Sequence, residues 1–261
     1  MPKIELLQAS VDSDDESELR ILVDDKHVKY LTIDHGLYDS DDMCFEPAIT
    51  TMLPPLPLGD WNQCRITPDP ATGHPTITQA IKADLPTVHP TWHPRKINHL
   101  DLHHTRKLRT NVYEATTSSL ASPVIVKFAR FPFEIAWLDA ETRAYEWIQG
   151  HDIGPAFLGH VLEEERVIGF VMERVEGAEH AGPGDVERCR RALGRLHALG
   201  IRHGDVNRHN FLVRGKEVTL IDFDCAEVCR DEGVLAQELE SLEREFSDTS
   251  GRGGVLVHQG D

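Results

Sequence analysis

Between Phe211 and Ile221 the chain reads FLVRGKEVTLI, two short apolar strands around the polar turn Arg214-Gly215-Lys216-Glu217. A tight hairpin of this kind sets its two outer ends side by side. Asn210 precedes the first strand and Asp222 follows the second, so an amide and a carboxylate are fixed at one end of the pair whatever surrounds them. Asp205 lies a short loop upstream in HGDVNRHN. Two carboxylates and an amide oxygen are hard ligands suited to magnesium, and a carboxylate not held on metal accepts a proton from a hydroxyl.

The preceding segments supply the rest of such a site. Val186, Cys189, Leu193 and Leu196 recur at helical spacing over residues 184–199, with Gly200 as the stop. Strands are expected at 112–115, 124–128, 157–162 and 167–173, and a helix over 134–149. Lys127 ends the apolar strand in PVIVKFARF, where it suits the cation that phosphoryl transfer requires on the non-reacting phosphates. A lysine so placed needs an orienting carboxylate. Glu141 in EIAWLDAETRAYEWI is the choice, with Glu134 and Glu146 as alternatives.

In chain order VIVK, Glu141, GFVMERVEG, HGDVNRHN and IDFD resemble the signature elements of the protein-kinase-like superfamily, over residues 101–227. The resemblance implies an α+β, two-lobe fold with a shortened C-terminal lobe: an N-terminal extension (1–95) packing on an N-terminal lobe (96–175) and a minimal C-terminal lobe (176–261). It implies ATP and magnesium, with Asp205 as base, Lys127 paired to Glu141, and Asn210 and Asp222 on the metal. Met172 would stand at the back of the nucleotide site, and the backbone of Glu173 and Val175 would meet adenine.

Glycine at 204 and asparagine at 207 stand where regulated protein kinases carry arginine and lysine. His203-Gly204-Asp205 and the DFDCA ending look closer to aminoglycoside and choline phosphotransferases, to small atypical kinases of tRNA modification, and to fungal kinase-like proteins of this size. Little chain follows Asp224, so the helices that usually form the substrate platform are not expected, and the acceptor side falls to the N-terminal third or a partner. The segment INHLDLHHTRKLRTNVYEATTSS, where a glycine-rich loop belongs, has no glycine. Phosphates would instead be gripped by side chains, Arg106 and Lys107 first, with His103, His104 and Arg109 beside them.

Ahead of this region SELRILVDDKHVKYLTID reads as a hairpin inside an acidic segment, and the prolines from 47 to 94 suggest an irregular wrap or linker. The net charge of -17 disfavours a surface attracting nucleic acid or anionic lipid as a whole. No signal peptide or membrane span is expected, and five scattered cysteines fit reduced thiols, so a cytoplasmic protein is expected. Cys225 and Cys229 would share a helix face as small buried residues. His89, His93, His99, His103 and His104 straddle prolines and read as surface or capping residues, not as a metal cluster. In ERCRRALGRLHALGIRH, Arg188, Arg190, Arg191, Arg195 and Arg202 read as a solvated face paired with the acidic N-terminal third, or as a patch for the backbone of RNA such as tRNA. The expected activity is phosphotransfer to a small-molecule or protein acceptor. The alternatives are tRNA-dependent chemistry on a kinase fold, as in arginine-containing cyclodipeptide synthases, and a nucleotide-binding pseudokinase scaffold.

Overall fold

The computed structural model describes residues 2–247, which fall into two compact units of mixed α+β structure. The first is Met1–Pro86 together with Arg130–Phe133 and Glu163–Arg166. It holds β1 (Ile4–Ser10), β2 (Ser17–Val23), β3 (His27–Ile33), α1 (Ser40–Cys44), α2 (Glu46–Met52), β4 (Gln63–Pro68) and β5 (Pro75–Ile81). The five strands form one sheet in chain order, and β2 and β3 are the expected hairpin, turning at Asp24 and Asp25 with positive φ. Leu19, Ile21, Leu31, Ile33, Trp61 and Ile66 are buried in a core of this unit's own, so the acid run Asp12 to Glu18 interrupts a folded sheet and does not mark a disordered tail.

The proline-rich segment departs from the linker expected of it. It contains α2, β4 and β5, because Pro68 and Pro75 sit at strand ends, where a missing N–H breaks no ladder bond, and β5 is an edge strand. The irregular reading holds from Lys82 to Arg95, which form no helix or strand.

The second unit is Thr87–Ala129, Glu134–Leu162 and Val167–Asp261. Its strands and helices in order are β6 (Lys96–Asn98), β7 (His103–Arg109), β8 (Val112–Thr116), β9 (Val124–Phe128), α3 (Ile135–Trp147), β10 (Phe157–Glu163), β11 (Arg166–Glu173), β12 (Glu179–His180), α4 (Val186–His197), β13 (Ile201–Arg202), β14 (Phe211–Arg214), β15 (Glu217–Leu220), β16 (Glu227–Val228) and α5 (Glu232–Ser247). Six strands form a sheet in the order β6-β10-β11-β9-β8-β7. At Gly169 of β11 an added Cβ would lie 2.2 Å from the carbonyl oxygen of Lys127, so glycine permits the close approach that seats the lysine's strand. Val126, Leu138, Tyr145, Leu193, Leu196, Phe223, Leu242 and Phe246 share one buried core.

Two further expectations are corrected here, and a sixteen-residue helix, α5, follows Asp224 with an apolar stripe in Leu235, Leu239, Leu242 and Phe246. Cys225 and Cys229 lie outside any helix, and Cys225 is exposed, although all five cysteines are free. The arginines of α4 and β13 pair within their own unit: Arg190 with Glu187 and Glu243, Arg202 with Glu227 and Glu238, and Arg188 with Asp185. No described helix is long and apolar enough to cross a membrane.

Candidate active site

Alternation along β9 sends Ile125 and Lys127 to the same face, and both line a cleft of about 680 Å³. On α3 the spacing Leu138, Glu141, Tyr145, Ile148 puts a carboxylate on the apolar stripe, and Glu141 is 1% exposed. The two meet: Lys127 Nζ lies 2.6 Å from Glu141 Oε2 and 2.5 Å from Asp222 Oδ1. Glu146, the alternative acid on the same helix, is exposed. Burial alone would discharge Lys127, but its two carboxylates outweigh it and raise the ammonium's pKa. Burial pushes the Glu141 carboxyl up to about 7 against the pull of Lys127. Burial also opposes the charge on Asp222, yet Lys127 and Arg109 hold its pKa below the ordinary carboxylate value.

The hairpin forms as the sequence requires, with Phe211 opposite Leu220 and Arg214 opposite Glu217, and Ile221 N donates to Asn210 O at 3.0 Å. Asn210 is fully buried. Its Nδ2 donates to Asp205 O at 2.8 Å and to Asp205 Oδ2 at 3.1 Å, while its Oδ1 has no hydrogen-bond partner among the described residues. Asn207 Nδ2 donates to the same Asp205 Oδ2 at 3.0 Å. Two amides therefore orient one carboxylate oxygen of Asp205. Asp222 adopts φ 68, a left-handed conformation unusual for a residue with a side chain and common where a site stores strain.

Buried groups behind the site fix this loop. His203 is fully buried, its Nε2 lies 3.1 Å from Ile221 O and its ring packs 5.3 Å from Phe223, so it serves as a strut. Glu238 of α5 accepts from His203 N at 3.1 Å and Gly204 N at 2.7 Å, and lies 2.7 Å from His197 Nε2. Glu141 Oε1 accepts from Phe223 N at 3.3 Å, tying α3 to the segment that carries Asp222. Gly204 has φ 84, and an added Cβ would stand 2.2 Å from Cys225 O. Gly204→Ala is therefore expected to destabilise the protein by about 1–3 kcal/mol or more, read as a lower melting temperature; an unchanged melt would contradict this account of the glycine.

Other candidates sort by position. Met172, Glu173, Val175 and Arg106 line the cleft, whereas Lys107 does not. Glu173 N donates to Ala156 O at 2.8 Å. Arg106 is 3.2 Å from Glu114, and His104 stacks on Tyr113 at 4.4 Å. Arg109 reaches the site directly, 3.2 Å from Asp222 Oδ2. Its signal in the sequence was faint, because the two-residue turn that follows β7 fixes its reach and the glycine-free stretch hid that strand. Trp137, His180 and His209 also line the cleft and were not singled out. The histidines at 89, 93, 99, 103 and 104 form no metal cluster among the described residues.

A model of the lipopolysaccharide kinase (Kdo/WaaP) family matches residues 176–253. The chain is 35% identical over 89 residues to a probable bifunctional tRNA threonylcarbamoyladenosine biosynthesis protein of Methanoculleus marisnigri, covering 30% of this chain and 17% of that protein. It is 38% identical over 77 residues to the protein of the same description from Methanothermobacter thermautotrophicus, covering 28% and 13%. The matches thus span only a small part of these relatives. Together they support a kinase-like enzyme of the protein-kinase-like superfamily, with which the α+β structure is compatible.

Proposed function

We propose that the second unit is an ATP- and magnesium-dependent phosphotransferase of the small-molecule or atypical type, on a two-lobed fold with a short C-terminal lobe. The observation that carries this reading is the cluster of buried Lys127 and Glu141 with half-buried Asp222 in the cleft. A buried ion cluster is a poor source of stability, since desolvation offsets most of its attraction. Its use is positional: a fully charged lysine held where phosphate oxygens would lie.

The donor set fits magnesium. Asp222 offers a carboxylate, and the unpartnered Oδ1 of buried Asn210 offers an amide oxygen. The bound ion would neutralise phosphate charge. Val112, Ile125, Met172 and Leu212 give the cleft apolar walls for a planar base, with Glu173 beside them. Asp205 takes the proton as an acceptor hydroxyl attacks the γ-phosphorus and the bond to the ADP oxygen breaks. Lys127 and Arg109 hold the phosphate oxygens, side chains doing what glycine-rich backbone does elsewhere. A setting in tRNA modification is the second reading, carried by the two relatives named for it.

Titration calorimetry with ATP and magnesium is the test. Binding is expected, and Asp222→Ala should weaken it at least tenfold, about 1.4 kcal/mol or more. Silence from the unaltered protein at millimolar nucleotide would end the reading.

A further inference from the structure

A second cleft in the same unit, of about 1030 Å³, is lined by the loop from Ile148 to Phe157, by α4 and by the turn of the β14–β15 hairpin. Arg188, Arg191 and Arg195 recur at intervals of three and four on α4 and so share one face; all three line this cleft, joined by Lys216 from the hairpin turn. Arg190, off that face, bonds Leu239 O and pairs with Glu243 of α5 instead.

The cations on the cleft side are held but not neutralised. Arg188 and Arg195 donate to the carbonyls of Gly215 at 2.6 Å and Val218 at 3.3 Å, which orient the guanidiniums without cancelling their charge, and Asp185 at 3.4 Å from Arg188 offsets part of it. Arg191 and Lys216 are exposed and have no hydrogen-bond or ion-pair partner among the described residues. Of the carboxylates in the lining, Glu217 is engaged by Arg214 at 2.7 Å, while Asp152 and Glu173 lie on the opposite loop and strand. Trp92 and Phe157, with ring centroids 4.5 Å apart, add an apolar wall.

We infer that this cleft is a docking groove for an extended acidic segment of a partner protein. The eight residues of α4 from Arg188 to Arg195 span about 10 Å, with successive arginines about 4.5 and 6 Å apart along the axis. Acids at alternate positions of an extended peptide stand about 6.6 Å apart, a difference that long, flexible arginine side chains can take up. Guanidinium forks pair with carboxylates two bonds at a time, and an intervening apolar residue packs against Trp92 and Phe157. A long nucleic acid fits less well. It needs a continuous basic surface, whereas this one is a single cleft with carboxylates in its lining, in a chain of net charge -17. The inference rests on shape and charge and stands apart from the phosphotransferase reading.

The test is fluorescence anisotropy at physiological salt with the full chain and three labelled probes: a ten-residue peptide alternating Glu and Leu, its Lys-for-Glu counterpart, and a single-stranded oligonucleotide of the same charge as the acidic peptide. Saturable binding of the acidic peptide alone is expected, weakened roughly tenfold by Arg191→Glu with Lys216→Glu. Arg191→Gln with Lys216→Gln should act in the same direction at an unchanged melting temperature. Failure of the acidic peptide to saturate, equal binding by the variants, or tighter variant-sensitive binding of the oligonucleotide would each overturn the proposal, the last in favour of a nucleic-acid site.

Discussion

Asp205→Asn is expected to lower turnover by about 10²–10⁴-fold, the usual contribution of a positioned general base, while leaving affinity for ATP and magnesium within a factor of about two. The substitution keeps the side chain's size. One oxygen remains to accept from the amides of Asn207 and Asn210, at 3.0 and 3.1 Å in the native loop, so the loop should hold its shape. What is lost is an oxygen able to take a proton. The check is paired: steady-state rates with any acceptor found by metabolite mass spectrometry, and calorimetry with nucleotide. An unchanged rate would remove Asp205 from the chemistry. A parallel loss of nucleotide affinity would make it a metal ligand.

The second large effect concerns the first unit. Arg20 is 1% exposed, and its Nε donates to Glu163 Oε2 at 2.9 Å, with a second, shorter bond from its terminal nitrogen. Tyr30 donates to Glu163 Oε1 at 2.7 Å, and Arg166 lies 2.6 Å from it. Burial opposes the charge on Glu163, but Arg20 and Arg166 bring its pKa down to about 2. Removing Arg20 leaves the buried carboxylate with Arg166 as one counterion in place of two and its Oε2 without the guanidinium bonds, so Arg20→Ala should destabilise this unit by about 3 kcal/mol. Denaturant unfolding measures it; a loss under about 1 kcal/mol would mean that Arg166 alone suffices. Because the folded-state pKa of Glu163 lies below its ordinary value of 4.5, this stabilisation is fully present above about pH 4.5 and fades as pH falls toward 2. Acid unfolding of the Arg20→Ala variant should accordingly begin at higher pH.

The parts of the site that local pattern controls were legible in the sequence. A hairpin's ends must meet, so Asn210 and Asp222 were placed by FLVRGKEVTLI alone, whereas Glu141 was a choice among three acids that the burial of α3 decides. Contacts between distant segments were not legible. Nothing near Gly204 announces that the backbone of Cys225 will pass within 2.2 Å of its missing Cβ, and the position read only as a lost arginine. Helix α5 was missed although Leu235, Leu239, Leu242 and Phe246 carry its period, because its role depends on Glu238 turning inward to His197, His203 and Gly204. The prolines hid β4 and β5 for the opposite reason: a local rule against strands was satisfied at the strand ends. Arg109 was one cation among five until β7 and β8 gave it a direction.

In the proposed reaction the Lys127, Asp205, Asn210 and Asp222 constellation moves a phosphoryl group from ATP. Phosphorus NMR of the protein incubated with ATP, magnesium and a small-molecule extract of its expression host tests it most directly. The account predicts loss of the γ-phosphate resonance with growth of ADP and a new phosphomonoester signal, both suppressed in Asp205→Asn. ATP left intact by the unaltered protein, or consumed equally by Asp205→Asn, would contradict it.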